Sequence, residues 1–234
     1  MKKEEVITLK NVAKYYYMGG NNIVKAVDGI DLTIKKGDFV AVMGPSGSGK
    51  STAMNLIGSL DVPTKGAVFL DGENVSHLSE SDLAEVRGMK IGFIFQQFNL
   101  ISNLTVLENV MLPMDFQGAS QKERKEVAKE LCEQVGLGDR INFYPKQLSG
   151  GEQQRVAIAR SLANDPEVVL ADEPTGNLDT KTGKKVMDFL ETLNKEGKTI
   201  VMITHDPNLA KEHADIVYSL LDGKIEKITK RKGK

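Results

Sequence analysis

The chain has 234 residues, enough for one large domain or for a core carrying an inserted subdomain. Lys plus Arg number 31 and Asp plus Glu 32, a formal net charge of −1 that excludes a general attraction to nucleic acid while leaving room for a local patch. The single cysteine, Cys132, excludes an intrachain disulfide, and no apolar run approaches the ~18 residues needed to cross a bilayer.

The opening Met1-Lys2-Lys3-Glu4-Glu5 leads into a strand pattern and not into a secretory apolar core, so a soluble, cytoplasmic chain is expected. Residues 6–34 read as β-structure: 6–9 and 12–18, the turn signal Gly19-Gly20-Asn21-Asn22, then 23–27 and 30–34. Three tyrosines, Tyr15, Tyr16 and Tyr17, stand just before the turn, and strand alternation sends Tyr16 away from the other two. Each ring either packs on the sheet or offers a flat apolar surface on which a purine stacks.

Phe39-Val40-Ala41-Val42-Met43, bounded by Gly37 and Gly44, reads as a strand buried on both faces. Gly44-Pro45-Ser46-Gly47-Ser48-Gly49-Lys50-Ser51-Thr52 follows, and then a helical pattern of Ala53, Met54, Leu56, Ile57 and Leu60. Strand, glycine-rich G-x-x-x-x-G-K-S loop and helix are the context of a phosphate-binding loop. Its glycines let successive N–H groups converge on one anion, and the helix adds unsatisfied amides and the positive end of its dipole. Lys50 can reach the outer phosphates of a nucleotide, and the Ser51 hydroxyl suits a hydrated Mg²⁺.

Residues 67–70 form a strand ending at Asp71-Gly72, 79–87 a helix capped by Ser79, and 91–95 another buried strand. No residue from 91 to 107 is charged, so the surface around Phe98, Leu100 and Ile101 either docks a partner or folds against its own domain. Helices are expected over 106–112, stopped by Pro113, over 121–135, ended by Gly136, and over 152–163. Cys132 shares a stripe with Val127, Leu131 and Val135 and reads as a buried apolar residue. Strands at 168–171 and 199–203, separated by a helix over 181–194, have the spacing of a βαβ unit in a parallel sheet. A hairpin closes the pattern, 216–221 and 224–228 about Asp222-Gly223, and the five basic residues of 227–234 read as a frayed, solvated end.

Two carboxylates, Asp172 and Glu173, end the strand at 168–171, where ligands collect in an open parallel sheet. Asp172 suits the water shell of Mg²⁺, and Glu173, facing another way, suits an attacking water. His205 follows the next buried strand and can hydrogen-bond a terminal phosphate, whereas His77 and His213 have no comparable setting. Leu148-Ser149-Gly150-Gly151-Glu152 opens the helix at 152–163, with Ser149 as cap, and presents a second set of helix amides to an anion.

In order and spacing these motifs resemble the ATP-binding subunit of an ABC transporter, over nearly the whole chain. Residues 44–51 resemble the Walker A loop, 168–172 Walker B with Glu173 in the catalytic position, 148–152 the signature motif, and His205 the switch histidine. Asn177-Leu178-Asp179 resembles the D-loop; Gln96, with Gln97 beside it, fits the Q-loop glutamine that senses Mg²⁺; and Tyr16 best matches the adenine-stacking aromatic residue. Residues 171–179 further resemble the lipoprotein-releasing and macrolide-exporter branch.

The resemblance implies an α/β P-loop NTPase core with a mostly parallel sheet, an N-terminal antiparallel β-subdomain and an inserted helical subdomain. The core is expected over 1–97 and 165–228, the helical subdomain over 98–164 and a basic tail over 229–234. It also implies ATP and Mg²⁺ as ligands, a head-to-tail homodimer in which Ser149, Gly150 and Gly151 close over the partner's nucleotide, and a separate membrane permease. No nucleic-acid partner is implied. A cell-division-type signalling ATPase, and a soluble ATPase acting on nucleic acid or ribosomes, are the alternative readings.

Overall fold

The computed structural model describes residues 4–19 and 22–231. The chain divides into two compact units, one built from Met1–Arg87 and Asn194–Lys234, the other from Gly88–Leu193. In chain order the first contains β1 (Glu5–Tyr17), β2 (Ile23–Lys35), β3 (Phe39–Met43), α1 (Lys50–Ile57), β4 (Lys65–Leu70) and β5 (Glu73–Asn74). Helix α2 (Glu80–Lys90) spans the boundary. The second unit holds β6 (Ile91–Ile94), α3 (Val106–Phe116), α4 (Gln121–Gln134), α5 (Gly150–Ser161), β7 (Val168–Asp172) and most of α6 (Thr180–Lys195). The first unit then resumes with β8 (Thr199–Thr204), α7 (Pro207–His213), β9 (Ile216–Leu221) and β10 (Lys224–Lys230).

In the first unit β2-β1-β4-β5 form an antiparallel sheet. The four short β-segments expected before residue 35 fuse into two strands of 13 residues each. Bulges absorb the breaks in alternation: the register slips between Leu9 and Val12, where Asn11 takes φ 48° and its N–H finds Asp31 Oδ1 at 2.9 Å. The expected turn includes Gly20 and Asn21, which lie outside the described residues; on either side of it Met18 N–H donates to Asn22 O.

The unit's second group of strands runs β10-β9-β3-β8, with β3 parallel to both neighbours. That central place explains the unbroken apolar run: Val40, Ala41 and Val42 are fully buried, with no solvent face to make polar. Helix α1 buries Ala53, Met54, Leu56 and Ile57, and each large side chain among them contributes roughly 1.5–3 kcal/mol.

Asp222 and Gly223 both have positive φ, as a two-residue hairpin loop requires. The end of the chain departs from expectation. Thr229 and Lys230 pair with Val217 and Ile216, and Arg231 N–H donates to Asp215 O at 2.7 Å. The basic tail placed at 229–234 is therefore strand through Lys230, because the start of β9 supplies partners for its backbone. Residues 232–234 lie outside the description.

In the second unit β6 runs parallel to β7, and α3, α4 and α5 pack on one another. Pro113 was expected to stop α3, but the helix continues through it to Phe116. An interior proline costs about 3 kcal/mol in an isolated helix. Here the extra turn buries Met114, and Asn164 Nδ2 donates to Pro113 O at 3.2 Å. Helix α5 begins two residues before the expected 152, since Ser149 caps it. Cys132 is buried and its thiol is pushed up to about 11, mainly by burial. Val127 is 37% exposed, so the buried stripe is Ala128, Leu131, Cys132 and Val135. Among the described residues no helix is long and apolar enough to cross a membrane.

Candidate nucleotide site

The loop from Gly44 to Thr52 joins the carboxyl end of β3 to α1. Gly49 is the left-handed cap of α1 at φ 96°, and a Cβ there would lie 2.2 Å from Ala26 O. At Gly44 the same addition would meet Leu220 O at 2.3 Å, so both positions admit only glycine. Ser48 O accepts from Gly223 N–H, which ties the loop to the β9–β10 turn.

The amides of Gly47, Gly49, Lys50, Ser51 and Thr52 meet no acceptor among the described residues. Ser48 Oγ is buried and equally without a partner. Lys50 Nζ donates to Pro45 O at 2.8 Å, which holds its ammonium at the loop. Five free amides, a helix amino terminus and an ammonium form a concave donor set for several anionic oxygens.

Met43 pairs with Thr204, so Gly44 and His205 leave the sheet at the same edge. His205 is exposed there, and Asp206 caps α7 by accepting from Asn208 and Leu209 N–H. The sequence reading missed this helix, although Asp206-Pro207 is a start signal.

Of the tyrosines, Tyr15 hydroxyl donates to Asp28 Oδ1. That bond raises the phenol's pKa and, with Lys25 and Lys224 nearby, lowers that of the carboxyl. Tyr16 turns elsewhere: its hydroxyl lies 3.3 Å from Asp61 Oδ2, and Lys14 Nζ stands 5.5 Å from its ring centre. Tyr17 is 70% exposed.

The acidic and glutamine candidates belong to the second unit. Ile94 of β6 pairs with Ala171 of β7, so Gln96, Asp172 and Glu173 all follow the same sheet edge. Glu173 has φ 45°, a left-handed conformation that a residue with a side chain adopts at a cost. Its carbonyl accepts from Gly176 N–H at 3.0 Å. Gln96 joins this turn: its carbonyl accepts from Asn177 Nδ2 at 2.8 Å, and a Cβ on Gly176 would lie 2.9 Å from its Nε2. Gln97 goes another way, lining a cavity of about 440 Å³ with Phe98, Leu100, Pro145 and Gln153.

Helix α5 holds this turn and the uncharged loop together. Gln154, 1% exposed, donates from Nε2 to Pro174 O at 2.7 Å, while its Oε1 has no partner among the described residues. Arg160 donates to Asn99 O at 2.6 Å and Phe98 O at 2.9 Å, and burial lowers its pKa. Asn109, fully buried, donates to the carbonyls of Ile101, Leu104 and Thr105. The sequence reading missed these three anchors, because one polar residue in a helical pattern carries no local signal.

At the amino end of α5, Ser149 Oγ donates to Glu152 Oε2 at 2.7 Å and accepts from Glu152 N–H. The Ser149 side chain and backbone bonds lower the Glu152 pKa. The Thr182 side chain touches the Gly151 position, and Asp179, its carboxyl pKa lowered chiefly by Thr182, caps the start of α6. Phosphate-loop donors and His205 thus occupy one unit, and Gln96, Asp172, Glu173 and the α5 terminus the other.

Comparison with known proteins gives the family to which these elements belong. A family profile described as ABC transporter matches residues 27–176. An uncharacterized ABC transporter ATP-binding protein of Thermotoga maritima is 52% identical, covering 97% of each chain. The macrolide export ATP-binding/permease protein MacB of Aggregatibacter actinomycetemcomitans is 48% identical over 97% of this chain, which spans 35% of MacB. Among solved structures, the ATP-binding cassette MJ0796 of Methanocaldococcus jannaschii, a dimer in a post-hydrolysis state bound to ADP and Pi, matches with TM-score 0.89. It is 49% identical and covers 97% of this chain and 100% of its own. With the P-loop NTPase fold and relatives above half identity, the chain belongs to the ABC transporter family of ATP-binding proteins.

Proposed function

We propose that two copies of this chain bind two ATP molecules head to tail, hydrolyse them to ADP and phosphate, and so drive a membrane permease. The observation that carries this reading is the set of five loop amides without acceptors beside Lys50. The dimeric, product-bound MJ0796 supports the nucleotide and the pairing, and the ATP-binding/permease relatives support the partner. Through such a permease the chain works at the cytoplasmic face of the membrane, in export or extraction.

In this reading residues Gly44 to Thr52 cradle the phosphates and Tyr16 stacks on adenine. Lys50 neutralises charge developing on the outer phosphate as its bond to ADP lengthens. Glu173 orients a water for attack on phosphorus and takes up its proton, and His205 donates a hydrogen bond to the phosphate. Gly150 and Gly151 of the partner subunit supply helix amides to the same phosphate, at the end fixed by the Ser149 cap, whose own N–H is taken by Glu152 Oε2. The Ser51 hydroxyl, Gln96 amide and Asp172 carboxylate are hard oxygen donors that fit Mg²⁺, which when bound screens the phosphate oxygens. The cavity beside Gln97 and Phe98, continuous with the uncharged loop, is the proposed permease contact.

The test is Glu173→Gln, which keeps the shape of the side chain and removes the proton acceptor. ATP binding is expected to persist, turnover to fall by about 10²–10⁴, and the variant to elute as an ATP-dependent dimer in size-exclusion chromatography. Elution as monomer at saturating ATP would refute the paired mechanism.

A further inference from the structure

A cavity of about 560 Å³ in the first unit plays no part in the chemistry above. It opens between α7 and one face of β3, β9 and β10. Its origin is geometric. Helix α7 has seven residues, and the cavity is lined by its Ala210 and by Ala214 just beyond its end, whose methyl groups cannot fill the space that larger residues would occupy. Met43, Pro207 and Val217 complete the apolar lining.

The rim is cationic. The bulge after Ile225 resets β10, so that Lys227 pairs with Ser219 and Thr229 with Val217, and residues 227, 229 and 231 share the cavity face. Lys211 of α7 faces them, so three cations line the opening and no carboxylate does. Arg231 Nη1 donates to Glu212 O at 3.0 Å, leaving other guanidinium N–H groups. Lys211 and Lys227 form no ion pair among the described residues. Asp215, close by in sequence, already accepts from Phe39 N–H at 3.1 Å. Converging like charges over an apolar floor are relieved by an anion that brings its own apolar surface. The volume lies in the range of sites that enclose small organic ligands.

We propose that this cavity binds a small amphipathic anion, an acidic head group on an acyl or aryl body, with Lys211, Lys227 and Arg231 on the head and Val217 and the alanines against the body. The lining includes Met43, the residue before Gly44, but none of the nucleotide loop itself, and binding needs no ATP.

The experiment is isothermal titration of the nucleotide-free full chain with decanoate. Saturable one-site binding is expected, with none for decylamine and no displacement by inorganic phosphate alone. Lys211→Glu with Lys227→Glu should weaken decanoate binding by about tenfold or more, and Ala210→Trp should remove it by filling the space. Retained ATP binding in each variant shows that the fold survives; if the tryptophan variant fails to fold, the exposed lysine pair decides alone. Absence of decanoate binding in the millimolar range, equal binding of decylamine, full displacement by phosphate, or affinity unchanged by charge reversal would each overturn the proposal.

Discussion

Gln154 gives its amide N–H to Pro174 O and so fixes the Pro174–Thr175 peptide, one residue beyond Glu173, a residue already held at φ 45°. A strained backbone persists only where its surroundings over-determine it, and this buried bond is one of the restraints. Gln154→Leu leaves Pro174 O buried without a donor, a loss of about 1–3 kcal/mol. The expected result is a lower denaturation midpoint and a fall in kcat with nucleotide affinity nearly unchanged. A variant that loses stability while keeping kcat would show that the glutamine only supports the fold. At this scale the phosphate loop was legible because G-x-x-x-x-G-K-S fixes backbone chemistry at every position. Gln154 was not, since its role exists only once α5 and the turn after β7 meet.

Three helices of the second unit, α3, α4 and α5, open with the same reciprocal cap: Thr105 with Glu108, Ser120 with Glu123, and Ser149 with Glu152. The spacing of a hydroxyl residue three before a glutamate stands in the sequence, but only the Ser149 cap was read from it. Each glutamate has its pKa lowered by its serine or threonine. A depressed folded pKa contributes stability above the ordinary value of 4.5, and that contribution is lost as pH falls through the folded value. Glu152→Ala should therefore reduce stability at neutral pH and lose its effect at more acid pH, with denaturant midpoints measured across the range. An effect that grows on acidification would contradict the cap's role. Pro113 teaches the opposite lesson, a local stop signal overridden by the burial of Met114. Helix α7, at seven residues, is too short for its periodicity to announce it.

For the molecule as a whole, neither unit carries the whole of the proposed catalytic set: the loop and His205 lie in one, Glu173 and the α5 terminus in the other. The proposed enzyme further requires the α5 terminus of a second chain. ATPase activity per chain should accordingly rise with protein concentration and approach a plateau, as for any enzyme assembled from two copies. Activity per chain that stays constant over about a hundredfold dilution would show that one copy suffices. The class of fold was legible because strands buried on both faces give unbroken apolar runs at 39–43, 168–171 and 200–203. The long strands β1 and β2 were not, because their bulges break the alternation on which strand reading depends.

Cys132 has a practical bearing. As the chain's lone thiol, sealed inside the helical unit and pushed up to about 11, it is almost wholly protonated near neutrality and closed to electrophiles. A cysteine engineered on the surface would thus be the sole target of a maleimide dye or spin label, with no need to delete the native one first. The native state keeps its own sulfur dark.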